Sequence, residues 1–382
     1  MEALVNGRVF VDGAFLPRRA VLIEHGRIVS VVSEDDPAVG RAKSHDLGNA
    51  LLLPGFIDTQ VNGGGGVLFN DDPSVEGIRR IGAAHRRFGT TGYLATLISD
   101  DLSVVAAAID AVRAALAARV PGLLGIHIEG PFLSEVRKGV HDASRFRELD
   151  ADIVGLLTSL RTGTTIVTLA PEVTTLDTLA RLTAGGVILS AGHSNASFAT
   201  IEAAFGHGLR GFTHLFNAMS QLTGREPGVV GAALYDPESY CGIIVDGRHV
   251  DPVVLRIALR AKRHDRFMLV TDAMPCVGTD ARSFLLQGRR ITVQDGYCID
   301  DQGTLAGTAL TMAQAVNNAV SMLGLELGEA VRMATEYPAT FLGRADEIGR
   351  IAPGYRANLV AAGDDLTVKA SWVDGELSAS GA

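Results

Sequence analysis

The sequence predicts an α/β protein, a (β/α)8 TIM-like barrel with a small β-domain built from both termini. Three observations predict it. Eight short apolar or β-branched runs alternate with helical stretches through the middle of the chain. Both ends show a different grammar, short strands punctuated by Asp-Gly and His-Gly turns. The unusual polar residues fall at the C-terminal ends of the middle runs, where barrels of this class place their sites.

Taken in order, residues 3–11, 20–24, 27–32 and 50–53 read as strands, with turns at Asp12-Gly13 and His25-Gly26. Residues 358–362 and 368–373 repeat the pattern around the Gly363-Asp364-Asp365 turn, so both ends are expected to pair into one unit spanning 1–52 plus 348–382. The barrel is expected over 53–347, with strand runs at 53–62, 90–98, 123–130, 164–172, 187–194, 211–217, 241–249 and 267–273. Helical periodicity marks 75–88, 102–119, 176–184, 198–206 and 253–262. The connection between the sixth and seventh runs reads as loop, and 281–307 reads as an inserted hairpin. An open doubly wound sheet is the alternative arrangement.

Composition excludes several function classes. The 382 residues are 47% hydrophobic, which describes a well-buried globular chain. With 34 basic against 43 acidic side chains the net charge is −9, which disfavours nucleic acid or an anionic membrane as partner. Cys241, Cys276 and Cys298 form no C-x-x-C pair and fit reduced thiols. No secretory leader pattern and no run of about 18 apolar residues occurs, so a cytoplasmic location without membrane contact is expected.

The strand ends carry the chemistry. The third run closes on His127-Ile128-Glu129, the fifth on Gly192-His193-Ser194, the sixth on Thr213-His214, the seventh on Asp246-Gly247-Arg248-His249 and the eighth on Thr271-Asp272. A lone histidine or carboxylate at such a position usually hydrogen-bonds a loop, but five converging on one mouth are hard to dismiss so. An unpaired buried Glu129 would be costly, and a divalent cation is a common way to pair it. Glu129, His193 and His214 supply one carboxylate and two imidazoles, a set that suits catalytic Zn2+ with an open position, and Fe2+ also accepts it. Asp272 is the candidate general base for a metal-activated water and the acid for a leaving nitrogen. The alternative for Asp272 is a fourth ligand or a loop cap.

The segments PGFIDTQVNGGGG, HIEGPF, KGVH, AGHS, THLFNAMSQLTGREPG, DGRH and TDAM, in that order, with LAGT-LTM at 305–312, closely resemble the N-acetylglucosamine-6-phosphate deacetylases of the amidohydrolase superfamily. The resemblance spans the whole chain. It implies hydrolysis of the acetamide of N-acetyl-D-glucosamine 6-phosphate to D-glucosamine 6-phosphate and acetate, on a barrel flanked by a β-sandwich built from both termini. It implies that Glu129, His193 and His214 hold the metal and that Asp272 is the acid/base. His141 and His249 would contact the substrate near the scissile amide, and Asn217 and Ala218 would approach the phosphate. Arg225 would reach the phosphate from a neighbouring subunit, which implies a homodimer. Where many amidohydrolases have His-x-His for a second metal this chain has Gln60 and Asn62, poor zinc ligands, so one metal per site is expected. The competing substrates are N-acetylgalactosamine 6-phosphate or an N-acyl amino acid, and a non-catalytic sugar-phosphate sensor is the reading from another class. Gly63–Gly66 lack phosphate-loop spacing and read as a tight turn beside the site.

Overall fold

The computed structural model describes residues 1–379. Eight parallel strands run in sequential order, Phe56–Val61, Thr90–Ile98, Leu123–Glu129, Thr164–Leu169, Ile188–Ala191, Leu209–Phe212, Tyr240–Ile243 and Phe267–Leu269. Each pairs with the next in the series, and a bridge from Val61 to Ala273 brings the first and last together. The result is a nearly closed barrel. The strands are buried on both sides because helices cover the outer face, which is why they read as continuous apolar runs.

The helices between strands start where the sequence supplies a cap. Ser74, Asp150, Thr175, Ser197 and Asp251 each accept a backbone N–H of the first turn, satisfying a donor that the helix itself leaves unpaired. Thr311 and Gln314 complete a reciprocal capping box at the start of Met312–Leu323. The connection between the sixth and seventh strands is not loop, as the sequence suggests, but contains the helix Gly228–Tyr235. Its first six residues are buried, so no polar stripe exists to betray a helical period.

A separate sheet domain is built from both ends. Its strands run in the order 376–379, 368–373, 359–362, 51–54, 2–11, 14–24 and 27–33, with 43–46 also pairing to 2–11. Alternation assigns its two faces. Leu4, Val21 and Ile23 join Leu52, Leu359 and Trp372 in one core, while Ala3, Ala20 and Leu22 pack on Val39. The strand Leu51–Pro54 pairs with Leu359–Ala362 and leads directly into the first barrel strand, so the expected boundary at 52 falls inside a strand.

The segment read as a single inserted hairpin is larger. Ser283–Leu286, Arg289–Gln294, Tyr297–Ile299 and Leu305–Thr308 form a four-stranded antiparallel meander, attached to the barrel by a bridge between Ala273 and Thr308. The strands read as 211–217, 241–249 and 267–273 end early, at Phe212, Ile243 and Leu269, and the residues beyond them are the turns that carry the site.

Candidate active site

Every barrel strand delivers its last residues to one rim, so side chains distant in sequence meet there. Glu129 is the final residue of the third strand, while His193, His214 and Asp272 follow the fifth, sixth and eighth by two or three residues. All three followers have left-handed backbone, with φ of +48, +34 and +52 degrees. Such conformations cost about 1–3 kcal/mol each and persist where surroundings over-determine them. Here the strained turn redirects a side chain from the barrel wall into the mouth.

Glu129 Oε1 lies 2.9 Å from His214 Nε2 and 3.3 Å from His193 Nε2, and the two imidazole nitrogens are 3.1 Å apart. The three candidate ligand atoms all lie within 4.8 Å of one another, and all three residues are buried. His193 Nδ1 donates to the carbonyl of Arg137 at 2.8 Å, which leaves an unprotonated Nε2 facing its neighbours, the form a cation needs. The residues therefore fit a divalent metal. Burial pushes the Glu129 carboxyl up, but hydrogen bonds and charge from the two histidines outweigh it and hold the group well below its ordinary range. Gly139 keeps this shell tight, since a Cβ there would stand 3.2 Å from His193 Cε1 at a φ of +57 degrees.

Asp272 sits beside the cluster without joining it. Its Oδ1 accepts Asn62 Nδ2 at 2.6 Å and Gln60 Nε2 at 3.1 Å, and Gln60 Nε2 is also 3.1 Å from Glu129 Oε2. Gln60 and Asn62 thus act as amide donors that orient two carboxylates. Burial and the charge of Glu129 push Asp272 up to about 6, a value suited to giving and taking protons near neutrality.

A cleft of about 440 Å3 opens above these groups, lined by His141, Asn217, Ala218, His249 and Met274 among others. His249 Nδ1 donates to Asp246 Oδ2 at 2.6 Å, and Asp246 Oδ1 accepts the backbone N–H of Arg248 and of His249. His141 is tied to Ser99. The Asn217 N–H is already used within a turn on His214 O, whereas the Ala218 N–H has no backbone partner among the described residues. Arg225 is not brought to the cleft of its own chain and sits in the exposed stretch 221–226. Gly65 and Gly66, with φ of +59 and +81 degrees, turn the short hairpin between Gly63–Gly64 and Val67–Leu68, which is the tight turn expected there.

Sequence reasoning missed the layer beneath. His127, two residues before Glu129 and so on the same face of its strand, bonds Thr59 O and Thr168 Oγ1, and Thr168 continues through Thr213 to Ser190. Asp58 bonds Thr271. Alternation along the strands was the signal that could have found His127 and Asp58, whereas Ser99 carries no local mark and nothing local shows that Asp246, at its strand end, is the partner of His249.

Residues 51–377 match the model of the amidohydrolase family. The chain belongs to that family. It is 44% identical to an N-acetylgalactosamine-6-phosphate deacetylase of Shewanella sp. over 97% of this chain and 94% of the relative. It is 36% identical to an N-acetylglucosamine-6-phosphate deacetylase of Haemophilus influenzae over 98% of each. Among solved structures it is similar to the N-acetylglucosamine-6-phosphate deacetylase of Pasteurella multocida, with a TM-score of 0.95 at 37% identity, covering 99% of both chains. No helix among the described residues is long and apolar enough to cross a membrane.

Proposed function

We propose that this chain hydrolyses the acetamide of N-acetyl-D-glucosamine 6-phosphate, giving D-glucosamine 6-phosphate and acetate. The observation that carries the reading is the buried Glu129, His193 and His214 cluster with Asp272 beside it, at the floor of a cleft sized for a small ligand. The likeness to hexosamine 6-phosphate deacetylases supplies the substrate class.

Glu129, His193 and His214 would hold one divalent cation, Zn2+ or Fe2+ by donor type, which supplies Lewis-acid polarisation and a water of lowered pKa. Asp272 takes the proton of the attacking water and returns it to the departing nitrogen. Because Asn62 and Gln60 both occupy Oδ1, the proton travels on Oδ2. As charge develops on the acetyl oxygen, His141 or His249 supplies a fixed hydrogen-bond donor, a contribution worth about 3 kcal/mol where single donors have been removed. Ala218 N–H and the Asn217 turn receive the phosphate. Arg225, solvent-facing in one chain, meets the phosphate of a second chain's site in a homodimer. The buried free thiols Cys241, Cys276 and Cys298 accord with a cytoplasmic setting.

One observation favours a second reading, the 44% identity to a deacetylase of the 4-epimer. Acetate release from the two epimeric 6-phosphates and from unphosphorylated N-acetylglucosamine separates the cases. The proposal expects the highest kcat/KM on the gluco 6-phosphate and a large loss without phosphate. A preference for the galacto epimer selects the second reading, and no release from any of them rejects both.

A further inference from the structure

His141 and His193 stack edge to face with ring centroids 4.3 Å apart, yet the backbone assigns them opposite tautomers. His193 Nδ1 faces a carbonyl and so carries the proton. His141 Nδ1 faces the Ser99 backbone N–H at 3.4 Å and the Ser99 hydroxyl at 2.7 Å. An amide N–H can only donate, so this Nδ1 is the acceptor and the neutral ring carries its proton on Nε2. That nitrogen has no protein partner among the described residues, and the residue lines the cleft. One ring thereby offers a lone pair and its neighbour an N–H.

The pair of atoms that sets this tautomer belongs to two loops, and the meander after the barrel holds both. Leu286 pairs with Arg289, so Gln287 and Gly288 form a two-residue turn with φ of +50 and +78 degrees, the twist that suits a tight hairpin. From this tip Gln287 Nε2 donates to Ser99 O at 2.6 Å. The Arg289 guanidinium donates to the carbonyl of Val140, the residue before His141. The tip is anchored from below, where Leu286, Ile291 and Cys298 pack with Ile98, Met274 and Cys276 in a small apolar core. The Sγ atoms of Cys276 and Cys298 are 3.6 Å apart within it.

We propose that Gln287 and Arg289 are positioning residues for the hydrolysis: by holding the Ser99 and Val140 carbonyls they keep the Ser99–His141 hydrogen bond in register, so that His141 presents Nε2–H to the acetyl oxygen. The chemical consequence rests on the deacetylase reading, and the tautomer does not.

The test compares metal-loaded wild type with Gln287→Glu, which lacks the donor at nearly the same size, and with Arg289→Ala and Arg289→Lys. The expected result is a fall in kcat of about 10–100-fold for Gln287→Glu and Arg289→Ala, the range for a catalytic group misplaced by about 1 Å. KM, metal content and melting temperature stay near wild type, and Arg289→Lys recovers most of the rate. Nitrogen NMR on histidine-labelled protein, with the His141 signals assigned through His141→Gln, reads the tautomer without any substrate. It should show Nε2–H in wild type and a mixture in Gln287→Glu. Unchanged kcat in both donor-deleting variants, or Nδ1–H on wild-type His141, overturns the proposal. A wild type with the expected tautomer but no deacetylation instead rejects the functional reading and leaves the NMR comparison to decide what the hairpin does.

Discussion

Each end of the barrel has a cavity beside it, and the candidate site lies in the smaller of these two. At the end where the strands begin, a hollow of about 1040 Å3 lies against the terminal sheet, lined by Glu24, Arg27, Leu123, Thr164, Arg356 and Asp374 among others. Three of its arginines are answered locally. Arg356 forks onto Asp374, Arg344 meets Glu347 at 2.6 Å, and Arg27 donates to Gly354 O. At the end where the strands finish, a cavity less than half that size gathers a buried carboxylate and two imidazoles that could hold a cation. Volume does not find the chemistry. Convergent buried donors, held by strained turns and oriented by neighbours, do.

The largest effects are expected at the mouth. Glu129→Gln removes the only carboxylate of the cluster, and the expected outcome is loss of bound metal with activity falling at least about 10^3-fold. Asp272→Asn separates the roles: metal content stays at the wild-type level while kcat falls by about 10^2–10^4-fold. Metal quantification beside acetate release reads both variants. Equal metal loss in the two would merge Asp272 into the ligand set.

A smaller effect tests the layer under the mouth. Burial lifts the Asp58 carboxyl from its ordinary 3.8 to about 7. Between those values the folded chain binds more protons than the unfolded one, so this group makes stability fall as pH rises from about 4 to 7. Asp58→Asn should flatten that slope in urea denaturation series at the two ends of the range. A slope identical to wild type would contradict it.

The smallest effect belongs to the opposite end. Arg356→Ala removes a partly exposed ion pair with Asp374, so a loss of about 1 kcal/mol and about 1 °C of Tm is expected, with kcat/KM within about twofold of wild type. A large loss of activity in that variant would show that the floor is coupled to the mouth.

How much of this was legible follows from where the information lies. Glu129, His193, His214 and Asp272 were readable because each is a polar residue closing a run of apolar or β-branched residues, and Glu129 does so directly before a Gly-Pro turn. The roles of Asp246 and Ser99 were not, because an Asp before Gly and a Ser before Asp are ordinary turn residues and what they do arises only from a partner in space. The helix Gly228–Tyr235 was hidden by burial that erased its period, and the seventh strand was over-extended because Ile244 and Val245 prolong the apolar run beyond the last ladder pair. The tip of the meander was illegible for the same reason as Ser99. Its two bonds join Gln287 to Ser99 and Arg289 to Val140, positions 188 and 149 residues apart.

One metal, held by Glu129, His193 and His214, is expected to serve this site, with Gln60 and Asn62 as amide donors to the carboxylates. Anomalous diffraction at the zinc and iron edges from crystals of the chain tests it most directly. One peak within about 2.0–2.3 Å of the three ligand atoms, with none against Gln60 and Asn62, is the predicted result. A second peak against Gln60 and Asn62, or density that ignores Glu129, would contradict it.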